Sequence, residues 1–168
     1  QQNVDFGGGL ERLLAAVENK SDMFQTSLLK PVIDAIEKAT GKQYESEQNS
    51  MRIIADHFVA ATFLANVGVK PSNKEQGYIL RRLIRRAHDS LQNLGSENIE
   101  LIFESIVEQY GQTDPELKTG YEEIKNTILE EEQGYKRTLG EAKKLIEREL
   151  ATQGVKTGDE LKGSIEIS

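Results

Sequence analysis

Apolar residues recur at helical spacing along most of the chain. Leu10, Leu13, Leu14 and Val17 repeat every three or four residues and predict a first helix over 10–17. Before it, Gln2 to Phe6 reads as the end of a strand and Gly7-Gly8-Gly9 as a turn. A second helix is expected to run to Thr40, capped by Ser21 or Asp22 and stopped by Gly41, with Pro31 bending or splitting it. Ile53, Ile54, Phe58, Ala61, Phe63, Leu64 and Val67 form a wide stripe, the mark of a central buried helix over 50–67 closed by Gly68. After the connection Val69-Lys70-Pro71-Ser72, Ser72 or Asn73 is placed to cap a helix reaching Leu94, with Gly95 beyond it. A shorter helix fits 97–110, ended by Gly111.

From Pro115 to about Leu150 the pattern is a single seam: Leu117, Tyr121, Ile124, Ile128, Tyr135, Leu139, Ala142, Ile146 and Leu150. This predicts one long, charged rod. Gly120, Gly134 and Gly140 each cost it roughly 1 kcal/mol against alanine, and a bend or break is expected near Gly134. Beyond Gly154 the periodicity fades into a ragged tail. The expected fold is all-α, a helical bundle with a long C-terminal helix, preceded by a short strand.

Composition fits that picture. The 168 residues are 37% hydrophobic and 29% charged, enough apolar content for a core and too much for disorder. No cysteine is present, which excludes disulfides and thiolate metal sites and is compatible with a reducing cytoplasm, the expected location. No run of about 18 apolar residues predicts a membrane helix. The chain opens without Met, directly in a strand-like segment, and reads as a piece of something longer.

Charge changes the picture more. The net charge is −7, yet residues 1–96 carry 12 basic and 11 acidic groups while 97–150 carry 7 and 14. The acidity is local, and between Lys70 and Asp89 six basic groups face two acidic ones. With Arg81 set at zero and about 100° per residue, Lys74 falls near 20°, Arg85 near 40°, Arg82 near 100° and Arg86 near 140°. On the same wheel of about 100° per residue, Leu83, Leu94, Ala87, Leu80, Leu91 and Ile84 occupy the opposite arc. A guanidinium fork matches phosphate oxygens, so this face suits a polyanion. It equally suits a solvated face paired with the acidic helices.

Of the two histidines, His57 follows Asp56, which permits acid–base chemistry or a structural hydrogen bond; the second is favoured because no third partner is in sight. No metal-ligand cluster is readable. Tyr78, Tyr110, Tyr121 and Tyr135 are suited to packing or to stacking on bases.

Asp5-Phe6-Gly7-Gly8-Gly9-Leu10-Glu11-Arg12 joins a strand, a glycine turn and a helix start. By itself it is either a plain turn or a place where backbone approaches a ligand. Its Gly-x-Gly-Leu-Glu-Arg portion resembles motif 3 of class II aminoacyl-tRNA synthetases, and with Asp5 it looks like the alanyl-tRNA synthetase version. Arg52-Ile53-Ile54-Ala55-Asp56-His57 is similar to that family's Arg-Val-Ile-Ala-Asp-His. Gly68-Val69-Lys70-Pro71-Ser72-Asn73 is similar to its Gly-Val-x-Pro-Ser-Asn. Gly77-Tyr78-Ile79-Leu80-Arg81-Arg82-Leu83-Ile84-Arg85-Arg86-Ala87 follows its Gly-Tyr-Val-Leu-Arg-Arg-Ile-Ile-Arg-Arg-Ala, and Glu130-Glu131 with Thr138-Leu139 resembles its later helix.

The resemblance implies an alanine–tRNA ligase using ATP and Mg, with the opening strand a remnant of the class II catalytic sheet. It implies that 1–20 closes the catalytic domain, 21–154 is the helical tRNA-recognition domain, and 155–168 leads to a downstream segment. Asp5 would hold the alanine amino group. Gly7 and Gly9 would line the adenylate site, and Arg12 would grip the ATP phosphates. Asn73 would read the G·U wobble pair of the tRNA-Ala acceptor stem, with Arg81, Arg82, Arg85 and Arg86 as further tRNA contacts, some of them bracing the fold instead. Lacking the rest of the synthetase, the chain is expected to be inactive alone and to bind no cofactor. It departs from the family at Val59, usually Arg, at Lys74, usually acidic, and at Gly8, usually bulkier. The family's second base-pair reader, an Asp in a Tyr-Asp-Thr-Tyr-Gly-like segment, is not in this chain. Two rivals are an acidic helical protein-interaction module built on the 117–150 seam and a nucleotide-binding enzyme built on the glycine triplet.

Overall fold

The computed structural model describes residues 8–152. Among them are seven α-helices and one 3₁₀ turn, and no strand. The helices are α1 (Leu10–Val17), α2 (Lys30–Thr40), α3 (Tyr44–Asn66), α4 (Glu75–Asn93), α5 (Ile99–Tyr110), α6 (Glu116–Thr119) and α7 (Tyr121–Thr152). The 3₁₀ turn, Met23–Gln25, lies between α1 and α2. The expected strand at 2–6 and the tail at 155–168 fall outside the described residues. The chain divides into one compact unit up to Glu131 and a second from Glu132. No described helix is long and apolar enough to cross a membrane.

The expected second helix is split, and the proline marks its start rather than a bend. Pro31 sits in the first turn of α2, where a missing N–H costs nothing. Asp22 is a cap, but of the 3₁₀ turn, accepting from the Phe24 amide at 3.0 Å. Gly41 stops α2 with φ 68, a backbone that glycine alone adopts without penalty. Helix α3 starts six residues before the expected Ser50, with non-helical backbone at Glu47. Buried Tyr44 anchors that early turn. Its hydroxyl donates to Asp22 Oδ2 at 2.5 Å, and Arg52 donates to Tyr44 Oη at 2.7 Å and to Asp22 Oδ2 at 2.8 Å. The Arg52 guanidinium also lies 5.7 Å from the Phe24 and Tyr44 ring centres. This knot of polar and aromatic groups ties the 3₁₀ turn to α3.

The expected long rod is also split, at Gly120 rather than Gly134. Single-turn α6 ends there and α7 begins at Tyr121. At Gly120 an added Cβ would come within 3.2 Å of the Glu116 carbonyl, whereas Gly134 and Gly140 lie in open space and the helix runs through them.

In the first unit α3 packs on α4 and α2 on α5. The core is built from Ile33 and Ile36 of α2, Met51 and Ile54 of α3, Leu80, Ile84 and Leu91 of α4, and Ile102 and Ile106 of α5, all fully buried. Each such side chain contributes about 1.5–3 kcal/mol of transfer free energy. Leu117, Ile124 and Ile128 extend this core, as the seam requires. In the second unit the seam continues on α7 as Leu139 and Ile146, joined by Leu145, all of them exposed. The fold thereby holds α4 with its apolar arc inward and fixes the loop 67–74 ahead of it.

Candidate nucleic-acid interface

Helix α4 begins abruptly. Lys74 occupies the cap position with no side-chain cap, and Glu75 has φ 50, a left-handed conformation unusual outside glycine. Neither Ser72 nor Asn73 caps the helix. Ser72 Oγ instead donates to the Lys74 carbonyl at 2.9 Å and accepts from the Lys74 amide at 3.3 Å, while its own amide donates to the Gly77 carbonyl at 3.1 Å. The loop therefore folds back over the first turn of α4. Gly77 makes this approach possible: a Cβ there would sit 2.3 Å from Ser72 Oγ and 2.5 Å from the Lys70 carbonyl oxygen. Lys70 pins the loop to α7, donating to Glu123 at 2.8 Å and Thr127 at 3.0 Å. Sequence reasoning missed Gly77 and Lys70 as loop-shaping residues. A glycine inside an otherwise strong helix pattern was the signal for the first.

The four arginines do not form one uniform face. Arg85 Nε donates to Glu131 Oε1 at 2.7 Å, and Arg81 Nε lies 3.5 Å from the same oxygen. Both arginines are half-buried, and the Glu131 side chain is only 14% exposed. This column braces α4 to the start of α7. Arg81 also donates from Nη1 to Asn73 Oδ1, which fastens the exposed Asn73 to α4. The second column, Arg82 and Arg86, is exposed. Neither forms an ion pair among the described residues. Arg82 lies over the Tyr78 ring at 5.6 Å. A shallow groove of about 150 Å³ runs between these arginines, with Tyr78, Ile79, Leu83 and His57 lining it. Tyr78 and Ile79 are about half-exposed.

The remaining candidates sort clearly. His57 Nδ1 is 3.2 Å from Asp56 Oδ2, the structural contact expected of that pair. Tyr110 packs edge-on to Phe63 at 5.4 Å, and burial pushes its hydroxyl up to about 12, with Glu11 and Asp56 adding to the shift. Tyr121 packs on Phe103 at 5.1 Å. Tyr78 is thus the exposed aromatic of the basic face.

The glycine-rich start is only partly described. Asp5 and Gly7 lie outside the described residues. Gly9 precedes α1, and Arg12 projects from its first turn into a cavity of about 370 Å³ shared with Glu11, Asp56, Val59 and Tyr110. One cation beside two carboxylates does not cradle a triphosphate, and an added Cβ at Gly9 would meet only ordinary contacts with Arg12. Among the described residues no group of three or more His, Asp or Glu is placed to hold a metal. Gly9 and Arg12 are only part of the set named for ATP, and by themselves they do not enclose it.

Comparison with known proteins places the chain among the tRNA synthetases. Alanine–tRNA ligase of Fusobacterium nucleatum is 38% identical over 155 residues, covering 89% of this chain and 18% of that protein. Alanine–tRNA ligase of Thermotoga maritima is 36% identical over 159 residues, covering 92% of this chain and 18% of that protein. Alanine–tRNA ligase of Myxococcus xanthus is 35% identical over 167 residues, covering 97% and 19% respectively. The chain thus spans about a fifth of the length of these curated relatives. The profile of class II (A) tRNA synthetases matches residues 1–168, and the chain belongs to the family of tRNA synthetases class II (A).

Proposed function

We propose that this chain is the portion of an alanine–tRNA ligase that docks the acceptor stem of tRNA-Ala. Asn73 reads the G·U wobble pair, and Arg82 and Arg86 contact backbone phosphates. The observation that carries this reading is the division of the basic face. In a chain with 28 acidic groups, Arg81 and Arg85 converge on Glu131 while Arg82 and Arg86 have no carboxylate partner among the described residues. Two guanidinium groups left exposed one helical turn apart, beside an exposed tyrosine, match a strand of phosphates better than a solvated ion-pair face. Arg81 and Arg85 brace the fold in this reading.

The whole protein attaches alanine to tRNA-Ala at the expense of ATP, with Mg, and Asp5, Gly7, Gly9 and Arg12 belong to its alanine and ATP sites. The catalytic sheet and downstream domains of the longer protein are the remaining partners, and the setting is cytoplasmic. The 168-residue chain is expected to show no alanine-dependent pyrophosphate exchange. Titration with acceptor-stem duplexes tests the docking role: Arg82→Ala weakens G·U and G·C duplexes alike, by about 3- to 10-fold for one phosphate contact. Asn73→Ala reduces only the G·U preference. Equal binding by wild type and both variants defeats the reading. The exposed Leu139, Leu145 and Ile146 favour a second reading, a helix-pairing module. Concentration-dependent self-association in sedimentation, with no RNA affinity, supports it instead.

A further inference from the structure

Helix α1 is set on the fold with its apolar positions outward. Leu10, Leu13 and Val17 are exposed, whereas Ala15 is buried and Glu11 is half-buried. Between α1, the 3₁₀ turn, α3 and α5 the packing leaves a cavity of about 370 Å³. That volume lies in the range of small-molecule pockets, about 300–1,000 Å³. Its walls are apolar, with Phe24 from the turn, Leu29 from just ahead of α2 and Val59 from α3.

Its polar groups are few and without partners. Tyr110 lines the cavity from α5, is only 9% exposed, and its hydroxyl has no hydrogen-bond partner among the described residues. Such a group is costly to bury unless something in the cavity completes it. Glu11 brings one carboxylate from α1 and forms no ion pair among the described residues. Asp56 brings a second from α3; its Oδ2 meets His57 Nδ1 at 3.2 Å, and its Oδ1 has no partner among the described residues. Both carboxylates act on the Tyr110 hydroxyl and add to the effect of burial, which lifts it to about 12. The phenol is therefore neutral at ordinary pH and stands in a negative potential. Arg12 lines the same cavity but pairs with neither carboxylate, and its stem lies beside Gly9.

We infer that this cavity binds an organic cation, an ammonium or guanidinium group on an apolar stem, with Glu11, Asp56 and Tyr110 around its head. Two carboxylates outnumber one guanidinium there, so the head is positive. A phenol oxygen accepts from an N–H, which supplies the partner that Tyr110 lacks. The apolar walls take the stem. An anion would meet two like charges, and a hard metal ion asks for six or more oxygen ligands, whereas no group of three acidic side chains or histidines is gathered among the described residues. None of Glu11, Asp56 and Tyr110 belongs to the alanine or ATP sites proposed above.

The test is calorimetric titration of the full 168-residue chain with butylguanidinium and butylammonium, and with pentanol and pentanoate as a neutral and an anionic match. The two cations should bind with a dissociation constant of about 1 mM or below, and the other two at least about tenfold more weakly. Glu11→Gln keeps the shape and should weaken the cations about tenfold, the scale of one charge-assisted hydrogen bond. Asp56→Asn should cost only about threefold, because that side chain is 62% exposed. Tyr110→Phe keeps the ring and should cost about fivefold. Arg12→Gln removes a like charge and should tighten binding about twofold. Val59→Arg places a guanidinium of the chain's own in the cavity and should abolish binding at unchanged helical content in circular dichroism. If that variant unfolds, the pair on α1 decides, since a loss of structure would not send Glu11→Gln and Arg12→Gln in opposite directions. Acetyl-arginine methylamide separates two sources of the same head. Binding as tight as that of butylguanidinium identifies a side chain of a polypeptide, and binding much weaker identifies a free amine or guanidine. Equal binding of pentanol and the cations overturns the inference, as does an affinity unmoved by Glu11→Gln and Tyr110→Phe, or no cation binding at about 10 mM.

Discussion

At the residue scale, the polar knot around Asp22 shows how burial and pairing compete. Burial raises the Asp22 carboxyl, but hydrogen bonds from Tyr44, Arg52 and the Phe24 amide outweigh it and hold the group below its ordinary value. A carboxyl depressed on folding contributes stability that is fully present above its unfolded value near 3.8 and lost as pH falls through the folded one. Asp22→Asn keeps the shape and loses the charge. It should cost about 1–2 kcal/mol at pH 7, the scale of charge-assisted hydrogen bonds. Urea denaturation of wild type and variant should converge only once pH falls through the depressed folded value of Asp22, where both side chains are neutral. The motif Arg52 to His57 was legible in the sequence, but this role of Arg52 was not, because its partners lie 8 and 30 residues away. The same holds for the arginines of α4. Helical periodicity assigned all four to one side, and it carries no information on what meets that side. Glu131, 46 residues from Arg85, splits them into a bracing pair and an exposed pair.

At the element scale, the legible boundaries are those set by local chemistry. Gly41, Gly68 and Gly95 end their helices with positive φ, as their positions beyond apolar stripes predict. The misread boundaries depend on contacts from elsewhere. Asp22 serves a turn instead of a helix because Tyr44 and Arg52 hold it there, and the rod divides at Gly120, where the backbone is crowded, while Gly134 stays in open space. Gly77 is the sharpest case. Helix propensity favours alanine there by about 1 kcal/mol. Against that, the added Cβ would press on Ser72 Oγ and on the Lys70 carbonyl, which is backbone. Overpacking of this kind costs about 1–3 kcal/mol, so the clash outweighs the propensity gain. Gly77→Ala should lower the denaturation midpoint in urea and also reduce the proposed G·U preference, because relief requires the loop bearing Asn73 to move. A stabilised variant with unchanged preference would show that the loop yields freely.

At the scale of the whole molecule, a net charge of −7 and the proposed polyanionic partner oppose each other, and ionic strength decides between them. The Debye length is about 30 Å at 0.01 M salt and about 10 Å at 0.1 M. At low salt the acid-rich 97–150 segment, with 14 acidic groups against 7 basic, weighs on any duplex that the chain approaches. Near physiological salt only charges within about 10 Å of a phosphate still count, and there the stretch from Lys70 to Asp89 has six basic groups against two acidic. Each phosphate neutralised adds about −0.7 to −0.9 to the slope of log affinity against log salt. If Arg82 and Arg86 are the contacts, that slope is about −1.5 above 0.1 M and flattens below about 0.03 M, where easing of the long-range repulsion offsets the loss of counterion release. Anisotropy titrations of an acceptor-stem duplex between about 10 and 300 mM salt can read both limbs. The Arg82→Ala, Arg86→Ala double variant should lose most of the high-salt slope. A wild-type slope near −3 would instead mean that Arg81 and Arg85 leave Glu131 when RNA arrives, since about four contacts are needed to produce it.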